Sequence, residues 1–237
     1  MKLITLLQVN NATTLEELQQ AQQQAQQGAE ESLSFIELAM KGGWVMIPII
    51  ILSIIAIYIF VERYIAIRKA SREDVNFMNR IKDYIHEDKL ESALALCQST
   101  NSPVSRMIEK GIQRIGRPLH DINSAIENVG KLEIYKLEKG LPTLATVSGA
   151  APMIGFLGTV MGMIQAFYNM ANAGSNVDIT LLSGGIYTAM VTTAAGLIVG
   201  IIAYFAYNSL VAKVEKVVYK LEANTTTFID LLNEPVK

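Results

Sequence analysis

A chain of 237 residues that is 51% hydrophobic, with mean hydropathy +0.30, and that gathers its apolar residues into three long runs reads as an integral membrane protein rather than a large soluble core. Its net charge of −2 leaves no basic footprint for nucleic acid. The single cysteine, Cys97, excludes an intrachain disulfide and reads as a small buried apolar residue.

In chain order, residues 1–33 form an N-terminal segment rich in glutamine, with seven Gln between Gln19 and Gln27. Its apolar run, Leu3 to Leu7, is shorter than the roughly 7 to 15 residues of a signal core, so no signal peptide is read there. The segment reads as a solvated tether. Residues 34–66 hold a short helix at the membrane interface, carried by Phe35, Ile36, Leu38, Ala39 and Met40, with Trp44 in the headgroup belt. The first span follows as Gly42 to Val61, 20 residues without charge, with Pro48 near its start.

Residues 67–139 predict a set of cytoplasmic helices. Ser71 with Asp74 suggests one N-terminal cap, Asp88 opens a second helix, and Ser102 followed by Pro103 caps a third. From about Asp121 the helical pattern runs to Lys139 and points to one long helix passing from cytosol into membrane. The 14 basic and 12 acidic residues from Glu62 to Lys139 read as a solvated helical surface. No strand alternation is present.

Enzyme chemistry has no foothold in this pattern. Gly111 and Gly116 have the spacing of a phosphate loop's glycines without the Lys-Ser/Thr that would bind phosphate. His86 and His120 stand alone and read as surface residues. No catalytic residue, cofactor or metal site is predicted.

Residues 140–212 dominate the chain. The 38 residues from Gly140 to Val177 and the 34 from Ile179 to Ala212 carry no Asp, Glu, Lys or Arg. A span needs about 20 apolar residues, so the two predict a helical hairpin turning near Ser175 to Asp178. On the first helix Ser148, Pro152, Gly155, Thr159, Gly162 or Met163, and Ala166 recur at helical spacing; on the second Ile186, Ala189, Thr193, Gly196, Gly200 and Ala203 do so. Gly196 and Gly200 make a GxxxG pair, a packing feature. Thr159 and Thr193 lie roughly 25 Å from the turn at 1.5 Å per residue. Either threonine alone reads as bonded to its own backbone; as a matched pair they read as the lining of a polar path. Residues 213–237 continue as a cytoplasmic helix. Basic residues cluster after the first and third spans and before the second, so the N-terminus is expected outside and the C-terminus in the cytoplasm.

The stretch Ala151-Pro-Met-Ile-Gly-Phe-Leu-Gly-Thr-Val-Met-Gly-Met-Ile-Gln-Ala-Phe167, followed by Gly185-Ile-Tyr-Thr-Ala-Met-Val-Thr-Thr-Ala-Ala-Gly-Leu197, resembles the second and third transmembrane helices of the MotA/TolQ/ExbB family. Gly42 to Ser53, ending beyond in Glu62-Arg63, resembles the family's first helix. The resemblance implies an all-α membrane protein with three transmembrane helices and extended cytoplasmic helices, assembled as a homo-oligomeric ring that is pentameric where known, in the bacterial inner membrane. It also implies a dimeric partner of ExbD or TolR type with a transmembrane aspartate, and a TonB-like protein beyond it. Thr159 and Thr193 match the family's two pore threonines.

A membrane proton path needs an ionisable group inside the bilayer, and Asp178 at the turn is the one acid between Gly140 and Ala212. The partner's aspartate would supply the missing group, its charged form held by the hydroxyls of Thr159 and Thr193, while the backbone carbonyl of Ser148, which Pro152 leaves without its helical donor, offers a further polar group in the path. Several relatives carry a glutamate where this chain has Thr188, which leaves proton against sodium open. Three spans favour the ExbB branch, with TolQ close behind; a flagellar-type stator and a passive scaffold are the remaining readings.

Overall fold

The computed structural model describes residues 42–71, 76–172 and 179–233. The chain divides into two compact units, residues 1–43 and 44–237, and the second holds the helices that follow. The expected interfacial helix, the glutamine-rich segment, the hairpin turn and Asp74 lie outside the described residues.

Helices in chain order are α1 (Met46–Ser71), α2 (Phe77–His86), α3 (Leu90–Thr100), α4 (Pro103–Ile112), α5 (Leu119–Glu138), α6 (Leu141–Asn172) and α7 (Ile179–Asn233). Pro48 sits in the first turn of α1, where a missing N–H costs no helical bond, so the helix runs on unbroken. By length and composition three helices can cross a membrane: α1, the segment containing α6, and α7. They present large exposed apolar side chains outward, among them Ile54 and Tyr58 on α1, Met153 and Phe156 on α6, and Ile202 and Phe205 on α7. In water such surfaces would mark interaction sites; on three spans they are the faces suited to lipid.

The local signals were read with mixed success. Ser102 and Ser105 form a reciprocal capping box at the start of α4, with Ser105 N–H donating to Ser102 Oγ at 3.0 Å and Ser102 N–H to Ser105 Oγ at 2.9 Å. Ser71, expected to open a helix, closes α1 instead; α2 begins after Asn76, which makes no side-chain cap bond. Asp88 lies between α2 and α3 with φ +56, and the position before α3 is Lys89. Asp tolerates a left-handed turn better than most residues, so it serves the turn rather than the cap.

The long helix expected to enter the membrane from Asp121 is broken. Lys139 leaves helical geometry and Gly140 takes φ +86, a value that favours glycine. The Leu144 N–H bonds to the Gly140 carbonyl at 3.1 Å and restarts the helix as α6. Continuity belongs instead to α7, whose 55 residues extend about 80 Å at 1.5 Å per residue. The compositional boundaries at 66/67 and 212/213 fall inside α1 and α7.

Below the spans, α2 to α5 pack on the charged half of α7. Phe77, Ile81, Ile108, Ile126, Val217, Leu221 and Phe228 are fully buried there, and Cys97 joins them. Burial pushes the Cys97 thiol up to about 12, so it behaves as a small apolar residue. Gly111 is explained by this core: a Cβ there would lie 2.5 Å from the Phe228 ring and 2.8 Å from Ile126. Arg63, buried near the end of the first span, donates to the Lys136 carbonyl at 2.8 Å and pairs with Glu62. A cation on the last carbonyls of α5 ties the first span to the helix that leads into the second.

Candidate ion path

The hairpin of α6 and α7 closes along a seam of small residues. A Cβ at Gly155 would lie 3.2 Å from the Cα of Thr193 and of Gly196; one at Gly162 would lie 2.9 Å from Ala189 Cβ; one at Gly185 would lie 2.7 Å from Ala166 Cβ. Gly196 faces the Ala151 carbonyl and Gly155, and Gly200 faces the Pro152 ring and the Ser148 carbonyl. Backbones meet here with almost no side chain between them, the geometry that gives dispersion contacts in lipid, where burial of apolar surface drives nothing. The GxxxG pair therefore seals this chain's own hairpin.

A polar bond crosses the seam. Thr193 Oγ1 donates to the Gly155 carbonyl at 3.0 Å, a bond between helices 38 residues apart in sequence. Thr159 does something different: its hydroxyl donates to the Phe156 carbonyl on its own helix. Its side chain opens on an outward hollow of about 530 Å³ shared with Val160, Met163, Ile164 and Phe167, all on α6. Gly158 packs on Thr192, and because the two helices run antiparallel Thr159 lies one residue nearer the turn and Thr193 one residue farther from it, an axial offset of about 3 Å. The two hydroxyls lie within one helical turn of each other in depth and share no bond.

Ser148, Pro152 and Thr188 are half-buried. The Ser148 hydroxyl donates to the Ala145 carbonyl at 2.7 Å, and its own carbonyl, deprived of a helical donor by Pro152, points at Gly200, where an added Cβ would sit 3.0 Å away. Thr188 stands one residue before the buried Ala189.

Sequence reasoning missed Thr192 and Gly158. Thr192 is 1% exposed, packs its side chain on Gly158 and donates to the Ala189 carbonyl at 2.8 Å. Helical spacing permits the row 155, 158, 162, 166 as well as 155, 159, 162, 166, and only the partner helix selects the first. The signal was there in a Gly and a Thr at matched depth.

Toward α4 and α5 the chemistry becomes ionic. Glu133, 3% exposed, accepts hydrogen bonds from Arg106 and from Lys136, the latter at 2.7 Å. Burial alone would raise its pKa, but the two cations outweigh burial and hold it below the usual 4.5. Within the described part of the two hairpin helices no residue is ionisable except tyrosines until Lys213.

Comparisons with known proteins converge on one family. The model of the MotA/TolQ/ExbB proton channel family matches residues 99–223. An ExbB-like protein of Synechocystis is 30% identical over 176 residues, 73% of this chain and 69% of the relative. An ExbB homolog of Methanothermobacter thermautotrophicus is 28% identical over 188 residues, 79% of this chain but 66% of the relative, so the chain spans just under two thirds of that protein. The TolQ protein of the Tol-Pal system in Pseudomonas aeruginosa is 27% identical over 203 residues, 81% of this chain and 87% of the relative. With three membrane-crossing helices and a match covering more than half its length, the chain is a membrane protein that belongs to the MotA/TolQ/ExbB proton channel family.

Proposed function

We propose that this chain is the ring-forming channel subunit of an ExbB-type motor in the bacterial inner membrane, and that it converts an ion gradient into work on the cell envelope. In this reading copies assemble as a pentamer around a dimeric single-span partner of ExbD or TolR type, whose transmembrane aspartate carries the proton. The N-terminus lies in the periplasm, the C-terminus in the cytoplasm, and a TonB-like protein receives the work for outer-membrane transport. The observation that carries the reading is that Thr159 and Thr193 lie within one helical turn of each other in depth, on a hairpin with no carboxylate from Leu141 to Asn172 or from Ile179 to Ala212. A carboxylate brought to that level would be held neutral by desolvation unless donors stabilise its charged form. Thr159 presents its hydroxyl on a face that this chain leaves uncovered, and Thr193 can exchange its bond to Gly155 for one to an approaching acid. Each proton that crosses then releases about 2.3 kcal/mol per 100 mV.

The test is voltage-driven proton flux through vesicles holding the chain with its ExbD-type partner. Thr159→Val with Thr193→Val should abolish flux at unchanged complex abundance, and Thr193→Ser should retain part of it. Flux at the unmodified rate in the double valine variant would reduce both threonines to packing. The TolQ reading is favoured by the relative of which this chain covers the larger share. It predicts that loss of the protein disturbs envelope integrity rather than uptake.

A further inference from the structure

A second polar site lies away from the hairpin seam, between α1 and α7 where both helices first become charged. Tyr64, Ile67, Arg68 and Ser71 of α1 and Lys213 and Lys216 of α7 enclose a hollow of about 430 Å³. Its lining holds three cations and no carboxylate. Lys213 Nζ rests 3.8 Å from the centre of the Tyr64 ring, which fixes the ammonium in place without neutralising it. No ion pair joins Arg68, Lys213 or Lys216 to another described residue. Lys220, one turn further on, donates to the Ser71 carbonyl at 3.4 Å and closes the hollow's far end. Three like charges around one small concavity repel one another, and an anion seated among them would reverse the sign of that energy.

The depth of the hollow says which anion. Lys213 is the first charge after the 34 uncharged residues from Ile179 to Ala212, and Arg68 lies six residues past Glu62, the first charge after α1's apolar run. At 1.5 Å per residue these groups stand within about 10 Å of the hydrocarbon boundary, in the layer that lipid headgroups occupy. One and two turns toward the apolar end of α1, on the same face as Tyr64 and Arg68, Val61 and Ile57 are exposed, 49% and 59% respectively. They form an apolar track leading away from the cations, matching an acyl chain attached to a phosphate.

We propose that this hollow seats the phosphate of an anionic membrane phospholipid, with Arg68, Lys213 and Lys216 on the headgroup and Ile57 and Val61 along the chain. Such a lipid would fasten the first span to the third at the membrane surface, offsetting the repulsion among the three cations that line the hollow. The inference rests on the membrane placement of α1 and α7 and not on the ion path, so a failed flux test leaves it standing.

The test uses the full chain in phosphatidylcholine vesicles doped with spin-labelled phosphatidylglycerol or spin-labelled phosphatidylcholine, read by electron paramagnetic resonance. The unmodified protein should immobilise the phosphatidylglycerol probe in clear preference to the phosphatidylcholine probe. Arg68→Gln with Lys213→Gln and Lys216→Gln should weaken that preference about tenfold or more. Arg114→Gln with Arg117→Gln and Lys131→Gln removes the same charge elsewhere and should leave the preference intact. Lys213→Arg with Lys216→Arg keeps the charge and should retain it, which separates lost recognition from lost folding. Equal immobilisation of both probes by the unmodified protein, or equal loss in the two triple-Gln variants, would overturn the proposal. Release of the lipid probe by millimolar inorganic phosphate would overturn it too, by showing a free-anion site instead.

Discussion

The seam between α6 and α7 and the core beneath the spans are built from opposite materials. In the seam Gly155, Gly158, Gly162, Gly185, Gly196 and Gly200 bring backbones together, and one threonine hydroxyl crosses. In the core Phe77, Phe228, Ile108, Ile126 and Leu221 fill the space between helices, with Glu133 and its two cations at one edge. The contrast follows from the solvent. Water rewards burial of large apolar side chains, at roughly 25 cal/mol per Å². Lipid rewards no such burial, so close approach of backbones and an occasional hydrogen bond must hold the helices together.

That contrast breaks most completely at Gly196, where a Cβ would sit 2.6 Å from the Ala151 carbonyl and 2.9 Å from the Gly155 Cα. Neither neighbour is a flexible side-chain end, so Gly196→Leu should force the helices apart and leave little monodisperse protein in detergent by size-exclusion chromatography. Gly184→Ala and Gly149→Ala meet nothing within 4 Å and should keep the yield. Normal recovery of Gly196→Leu would show that the seam is not what holds the hairpin.

In the aqueous core the damaging change runs the other way, from large to small. Phe228→Ala should cost about 3–5 kcal/mol in the helices packed below the spans, since the ring is fully buried against Gly111. Limited proteolysis should then cut between α2 and α5 while the spans stay protected. Adding Gly111→Ala, whose methyl occupies part of the vacated volume, should recover some of the loss.

The ionic edge of that core gives a smaller effect with a pH signature. The Glu133 pKa is depressed in the folded protein, so its contribution is present above the ordinary value of 4.5 and is lost as pH falls through the lower folded value. Glu133→Gln should lower stability at pH 7 by about 1.5–3 kcal/mol, the range for hydrogen bonds to charged groups. It should also flatten the fall in thermal stability on acidification below pH 5. An unchanged acid slope would mean that other carboxylates set it.

These differences also explain what could be read from residues alone. The three spans and the absence of charge from the hairpin were legible because lipid imposes length and polarity on consecutive residues. The capping box at Ser102 was legible because its partners lie three residues apart. The break at Gly140 was not, because the helical pattern continues on both sides and only a positive φ interrupts it. Nor was the choice between Gly158 and Thr159 as the residue in the seam, since both fit the period and the deciding contact, Thr192, lies on the other helix. Long-range register is what helical spacing leaves open.

The finest division lies between Thr159 and Thr193, two threonines within one helical turn of each other in depth that make different bonds. Thr193 donates across the seam to Gly155, whereas Thr159 donates to Phe156 on its own helix. Valine keeps the branched shape and removes the hydroxyl. Thr193→Val should therefore lower the hairpin's resistance to unfolding in detergent by about 0.5–1.5 kcal/mol, the net worth of one neutral hydrogen bond. Thr193→Ser should restore most of it. Thr159→Val should shift stability by less than about 0.5 kcal/mol, because an own-helix bond adds little and its loss exposes no interhelical partner. If both threonines also hold the partner's carboxylate, flux should fall in both single variants although stability falls in one. Equal stability losses at the two positions would show that the difference in their bonding is not maintained in the membrane. A loss of flux at Thr193 alone would make the cross-seam bond, and not the matched pair, the feature that conduction needs.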